Sequence, residues 1–221
     1  DQPIGVGFSY GTNPVNSTVG AAPLVWNFVQ AFYAQFPQYE NRDFGIFTES
    51  YGGHYAPEFA SYFLSQNTAI DSGNVIGEKI NLKALAVNNG WFDPAMQQKA
   101  FIDYSHNNTY RTLIDDNQYN ALLSSYNARC LPNIKQCTEL TGQVDSCTNA
   151  RTVCQNTIEG PLISSGDFDV YDIRAQRDDP NPPQTYTGYL NSSTVVRAIG
   201  AKSTYTDCAI GPYRRFEETG D

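Results

Sequence analysis

Thr48-Glu49-Ser50-Tyr51-Gly52-Gly53 places a serine between two runs of opposite character. A short apolar run, Phe44-Gly45-Ile46-Phe47, comes before it, and a helix-like run, His54 to Leu64, comes after it. A strand that turns sharply into a helix at a serine is a nucleophile elbow. The turn lifts the hydroxyl above the sheet edge. The helix behind it aims free N–H groups at a developing negative charge. Small residues after the serine let helix and strand approach closely. Thr48 stands where the G-x-S-x-G pattern expects its first glycine.

The longer string adds to this. Glu49-Ser50-Tyr51-Gly52-Gly53-His54-Tyr55-Ala56-Pro57 resembles the Glu-Ser-Tyr-(Ala/Gly)-Gly-His-Tyr-x-Pro segment of the serine carboxypeptidases. Asp1-Gln2-Pro3-Ile4-Gly5-Val6-Gly7-Phe8-Ser9-Tyr10 resembles that family's segment just upstream. Asn89-Gly90 with Asp93-Pro94, Tyr171-Asp172-Ile173-Arg174, and Tyr189-Leu190-Asn191 with Val196-Arg197-Ala198-Ile199-Gly200 are similar as well, in family order. The resemblance covers essentially the whole chain. It implies an α/β-hydrolase-type, mostly parallel sheet with flanking helices and a helical, disulfide-bonded cap insertion, here incomplete. The activity it implies is hydrolysis of the C-terminal peptide bond of peptides at acidic pH. Alternatives are a same-fold acyltransferase or hydroxynitrile lyase, or a non-catalytic secreted glycoprotein that lost its base.

The 221 residues suffice for one large domain with a proper core. A net charge of −9, from 23 acidic and 14 basic side chains, repels phosphate backbones and excludes nucleic acid as an expected partner. The same balance suits work at acidic pH. No apolar run reaches the roughly 18 to 20 residues of a membrane span. No signal peptide is visible, and the chain opens with Asp1 inside what reads as a strand or its exit. The sequence therefore predicts a true N-terminus further upstream.

Five cysteines occur: Cys130, Cys137, Cys147, Cys154 and Cys208. The first four are spaced by 7, 10 and 7 residues with no C-x-x-C pair, which argues for disulfides over zinc. Sequons at Asn16, Asn107 and Asn191 beside this cluster point to glycosylation in an oxidising, secretory compartment. The expected destination is outside the cell or a vacuole or lysosome. Spacing leaves three pairings open for four cysteines. The family resemblance implies the nested one, Cys130 with Cys154 and Cys137 with Cys147. It also implies an upstream partner for Cys208.

Along the chain, residues Ala21 to Phe36 read as an amphipathic helix whose Val25, Phe28, Val29, Phe32 and Phe36 stripe packs into the core. Phe44 to Thr48 reads as a buried strand. The following helix turns Phe59, Tyr62, Phe63 and Leu64 inward. Ile80 to Val87 reads as the next, central parallel strand. These elements predict a hydrolase core over 1–95, a cap over 96–160, and a return to the core over 161–221. Asp178 to Pro183 is an expected protease-sensitive surface loop. Gly188 to Gly200 reads as a short helix.

Ser50 is the expected nucleophile. A serine needs a histidine to take its proton and an acid to orient that histidine. In this fold the order is Ser, Asp, His. His54 lies one turn along the helix behind Ser50, and His106 falls in the insertion. Both are expected to be structural. Asp221 tempts as the acid, but the resemblance places its Thr-Gly-Asp before the triad acid. The catalytic Asp and His are therefore expected on a second chain or a missing segment of the same precursor. The resemblance assigns Glu49 to the substrate's C-terminal carboxylate, a role that requires one of the two carboxyl groups to hold a proton. Tyr51 is expected to offer its backbone N–H to the oxyanion. Asn89 is expected either behind the residues that touch substrate or in the turn that ends the next strand. No cofactor or metal is called for.

Overall fold

The computed structural model describes residues 1–139, 144–178 and 185–221. Most of the proline-rich loop expected over 178–183 lies outside the described residues. The chain divides into two units. The first comprises Asp1–Phe92, Ala201–Phe216 and Asp221, and the second comprises Asp93–Gly200 and Glu217–Gly220.

The first unit carries the sheet. Helix α1 (Thr18–Gln35) begins where the Ser17 hydroxyl accepts the Gly20 N–H at 3.0 Å, so it starts three residues earlier than its apolar pattern suggests. Pro37 ends it. Strand β1 (Asp43–Glu49) leads through the elbow into helix α2 (Gly52–Asp71), and strand β2 (Asn81–Asn88) returns parallel to β1. A parallel return needs a crossover of this length. The register slips between Phe44 and Gly45, which pair with Leu82 and Ala84, so Lys83 is the extra residue of a bulge.

The core of this unit joins Ala21, Ala22, Trp26, Val29 and Tyr33 of α1 to Phe59, Phe63 and Ile80. Each large side chain buried here contributes about 1.5–3 kcal/mol. Three sequence expectations are corrected. Within the α1 stripe Val29 is buried, while Phe28 is 68 % exposed and Phe32 and Phe36 are also exposed. The buried face of α1 runs instead through Trp26 and Tyr33, the side facing α2. Leu64 is exposed, because Phe59 and Phe63 already occupy the inward face of α2. Strand β1 is half-exposed rather than buried. Phe44 and Ile46 pack on the core, but Phe47, on the opposite face, is 75 % exposed. Among the described residues β1 has one neighbour strand and one covered face. The opening decapeptide forms turns, with Gly5 and Gly7 at φ 100° and 59°. Gly7 exchanges two hydrogen bonds with Thr206.

The second unit is helical. Helix α3 (Pro94–His106) is capped by the Asp93 carboxylate, which accepts the Ala95 and Met96 N–H groups. Helix α4 (Asp116–Ser125) starts in a capping box between Asp115 and Gln118. A π-helical stretch, Tyr126–Cys130, joins it to α5 (Leu131–Glu139). Helix α6 (Val144–Cys154) continues through a second π stretch, Gln155–Glu159, into α7 (Gly160–Ile163). The Cys130–Cys154 disulfide ties the end of one π stretch to the start of the other, and Cys137–Cys147 closes a smaller loop inside it. Ile102, Ile114, Leu122, Tyr126, Ile134, Ile158 and Leu162 surround the outer bridge.

Two short helices follow, α8 (Tyr186–Leu190) and α9 (Ser193–Ala198), in place of the single one expected over 188–200. Ser192 starts α9 by accepting the Val195 N–H. Residues 161–200 group with this helical unit and not with the sheet. Phe168 is buried, and Arg177 donates to the carbonyls of Ile163 and Gly166. Arg174 grips Asp172 through two nitrogens and holds its carboxyl down to about 2. Helix α10 (Ile210–Thr219) completes the chain's elements.

Candidate active site

Ser50 sits between the last residue of β1 and the start of α2, with φ 53°. A non-glycine residue in this left-handed region stores about 1–3 kcal/mol of strain, which the surroundings must hold. They do so through the backbone. Ser50 N–H donates to Asn88 O at 3.2 Å, and Ser50 O accepts from Trp91 N–H at 2.9 Å and Gly53 N–H at 3.0 Å. The elbow is thus laced to the chain leaving β2. Asn89, also left-handed at φ 38°, makes that exit turn. Both strands run parallel, so their C-terminal ends meet at this edge, the edge that carries sites in α/β sheets.

Close packing dictates the two glycines. A Cβ on Gly52 would lie 2.3 Å from Thr48 Cβ. Thr48 therefore fits in place of the expected glycine because Gly52 yields the space, and its hydroxyl donates to Gly52 O at 3.1 Å. A Cβ on Gly53 would lie 2.2 Å from Trp91 O and 2.5 Å from Trp91 N. Backbone cannot rotate aside as a side chain can. Gly53→Ala is expected to destabilise the first unit by about 1–3 kcal/mol, the range of forced overpacking. Urea unfolding checks this, and an unshifted midpoint with an unchanged slope contradicts it.

The Tyr51 N–H, at the helix start, donates to no acceptor among the described residues. The Tyr51 side chain is the opposite case. Its hydroxyl donates to Asp221 Oδ2 at 2.6 Å, and Thr18 donates to the same oxygen through Oγ1 at 2.6 Å and N–H at 2.8 Å. Burial first, then the bond to Asp221, pushes the Tyr51 phenol far above its ordinary range. Burial, with the nearby Asp221 carboxylate, pushes Tyr55 up to about 12.

Neither histidine is bonded to Ser50. The His54 ring stacks flat on Tyr51 at 4.7 Å, and its pKa is lowered by burial, an effect that Asp221 opposes. His106 Nε2 lies 2.8 Å from Asp116 Oδ1, within the second unit. Glu49 is exposed at the end of β1. It borders an open depression with Phe47, Thr48, Ala86, Val87 and Asn88. No local signal marks the Tyr51–Asp221–Thr18 cluster, because Asp221 lies 203 residues from Thr18 and 170 from Tyr51.

Comparison with known proteins agrees with this architecture. A solved structure of the prohormone-processing carboxypeptidase Kex1(delta)p from Saccharomyces cerevisiae superposes with a TM-score of 0.75 at 19 % identity, over 99 % of this chain and 50 % of its own. That likeness shows the α/β-hydrolase fold. Carboxypeptidase S1 of Penicillium janthinellum is 60 % identical over all 221 residues, which span 52 % of its length. A carboxypeptidase Y homolog of Arthroderma benhamiae is 34 % identical over 93 % of this chain and 36 % of its own length. The chain thus spans about half, or less, of these relatives. The sequence profile of the serine carboxypeptidases matches residues 1–215. With nearly its whole length inside that match, the chain belongs to the serine carboxypeptidase family.

Proposed function

We propose that this chain is the nucleophile-bearing part of a serine carboxypeptidase that removes single residues from peptide C-termini at acidic pH. The observation that carries the reading is Ser50 held at φ 53° on a strand-to-helix elbow, beside an unclaimed Tyr51 N–H. In this reading Ser50 Oγ attacks the scissile carbonyl carbon and gives its proton to a histidine. The carbonyl oxygen becomes an oxyanion and is held by Tyr51 N–H. Collapse breaks the C–N bond, and the amine leaves with the proton. Water then releases the acyl group from Ser50 in the reverse sense. The two histidines of this chain are engaged elsewhere, so the base and its acid come from a segment outside these 221 residues.

Glu49, next to the nucleophile, takes the substrate's terminal carboxylate in this proposal. Glu49→Ala is expected to raise KM for a blocked dipeptide severalfold in the full-length protein with kcat little changed, and an unchanged KM removes Glu49 from the role. Asn89 supports the site as the left-handed turn beside the elbow. Two disulfides and three sequons, with Asn16 and Asn107 exposed and Asn191 half-buried, support a glycosylated protein of the secretory pathway, secreted or vacuolar. No described helix is long and apolar enough to cross a membrane.

A blocked dipeptide bearing a free C-terminal carboxylate is expected to be cleaved, and its C-terminal amide to be cleaved far more slowly. Equal rates on both contradict an exopeptidase that reads the carboxylate.

A further inference from the structure

Asp221 is a charged side chain with no place in the mechanism above. Its Oδ2 gathers three donors: the Tyr51 hydroxyl, the Thr18 hydroxyl and the Thr18 N–H. Thr18 is buried, and its N–H opens α1. The Tyr51 ring is confined as well. His54 stacks on one face, while Tyr55, Trp91 and Phe216 meet it nearly edge-on at 5.0, 6.3 and 6.1 Å. Ring and hydroxyl are thus held at the same time, the ring by four aromatic neighbours and the hydroxyl by Asp221. The Tyr51 backbone follows, at φ −59° and ψ −14°.

Resting on the reading of Tyr51 N–H as the oxyanion donor, we propose that Asp221 is a positioning residue for that donor. An oxyanion donor acts only when held within about 0.5 Å and 10–20° of its productive place. The backbone of Tyr51 leaves a strained elbow on one side and enters a helix end on the other. The grip of Asp221 on the far end of the side chain stops this peptide unit from rocking. The carboxylate does so without touching substrate. The high phenol pKa keeps Tyr51 a donor at every working pH. A role confined to pinning α1 through Thr18 would affect stability alone, so the two roles separate by experiment.

The test uses the full-length protein that carries this chain. Tyr51→Phe removes the hydroxyl and keeps the ring among its aromatic neighbours. Asp221→Asn keeps the shape and removes the charge. Each is expected to lower kcat on a blocked dipeptide about tenfold with KM unchanged, less than the roughly 10²–10³ lost when an oxyanion donor is deleted outright. A peptidyl boronate, tetrahedral when bound, should lose affinity by the same factor. The double variant should be no worse than Tyr51→Phe alone, because both changes act on one contact: the first removes the donor, and the second, whose amide oxygen still accepts, weakens it.

Unchanged kcat and boronate affinity in Tyr51→Phe overturn the proposal, and so does an additive, about hundredfold loss in the double variant. If Asp221→Asn fails to fold, Tyr51→Phe decides alone. Labelling of the unmodified protein by an organophosphonate separates the two levels. No label on Ser50 sinks the acyl-enzyme reading and this proposal with it. Label on Ser50 with unchanged variant constants sinks the proposal alone.

Discussion

Ser50→Ala in the full-length protein is expected to lower kcat by about 10⁴- to 10⁶-fold, with KM little changed and the fold intact. The size of the loss follows from the chemistry. On the proposed mechanism no acyl-enzyme forms without the hydroxyl, and what remains is catalysis by the oxyanion donor and by substrate positioning. The variant should fold because the Ser50 contacts that shape the elbow are made by its backbone: N–H to Asn88, and O to Gly53 and Trp91. None of them needs Oγ. Steady-state kinetics with a circular dichroism control checks this. A loss below about tenfold in a folded variant would mean that another group performs the attack.

The second large effect concerns stability. Replacing Cys130 and Cys154 together by alanine should cost the helical unit about 3 kcal/mol. Chain-entropy arguments give about this value for a bridge whose cysteines are 24 residues apart. That is a large share of the roughly 5–15 kcal/mol that holds a domain together. Both sulfur-bearing residues are buried in the core cluster of this unit, so their loss also leaves apolar space. The inner pair, Cys137–Cys147, is only 10 residues apart, and its removal should cost less. Denaturant unfolding of the two double variants measures both. An inner bridge that contributes more than the outer one would contradict the burial argument.

Much of the candidate site was legible because it is local. An apolar run ending at Phe47 is followed closely by the serine proposed as nucleophile and by the small residues that a tight elbow requires, and no distant partner alters that reading. The fold of the first unit was legible for the same reason, as strand, long helix and parallel strand follow one another directly. Two kinds of feature were hidden. The first is which way a helix faces. Phe28, Phe32 and Phe36 recur at helical spacing, yet α1 buries Trp26 and Tyr33, because Phe59, Phe63 and Ile80 lie on that side. Periodicity gives a stripe, and only the neighbour decides which stripe is covered. The second is pairing across the chain. Asp221 reads as one acid near a glycine, and nothing local ties it to a tyrosine 170 residues away. Thr48 sits between these cases. It appears as a departure from a glycine pattern, and its tolerance becomes clear once the missing Cβ of Gly52 is seen against it.

Whether the Ser50 hydroxyl is the group that becomes acylated is read out by treating the full-length protein with an irreversible organophosphonate and locating the adduct by peptide mass spectrometry. A single phosphonyl adduct is expected on the peptide containing Ser50, lost in Ser50→Ala. An adduct on any other residue, with Ser50 unmodified, overturns the acyl-enzyme reading.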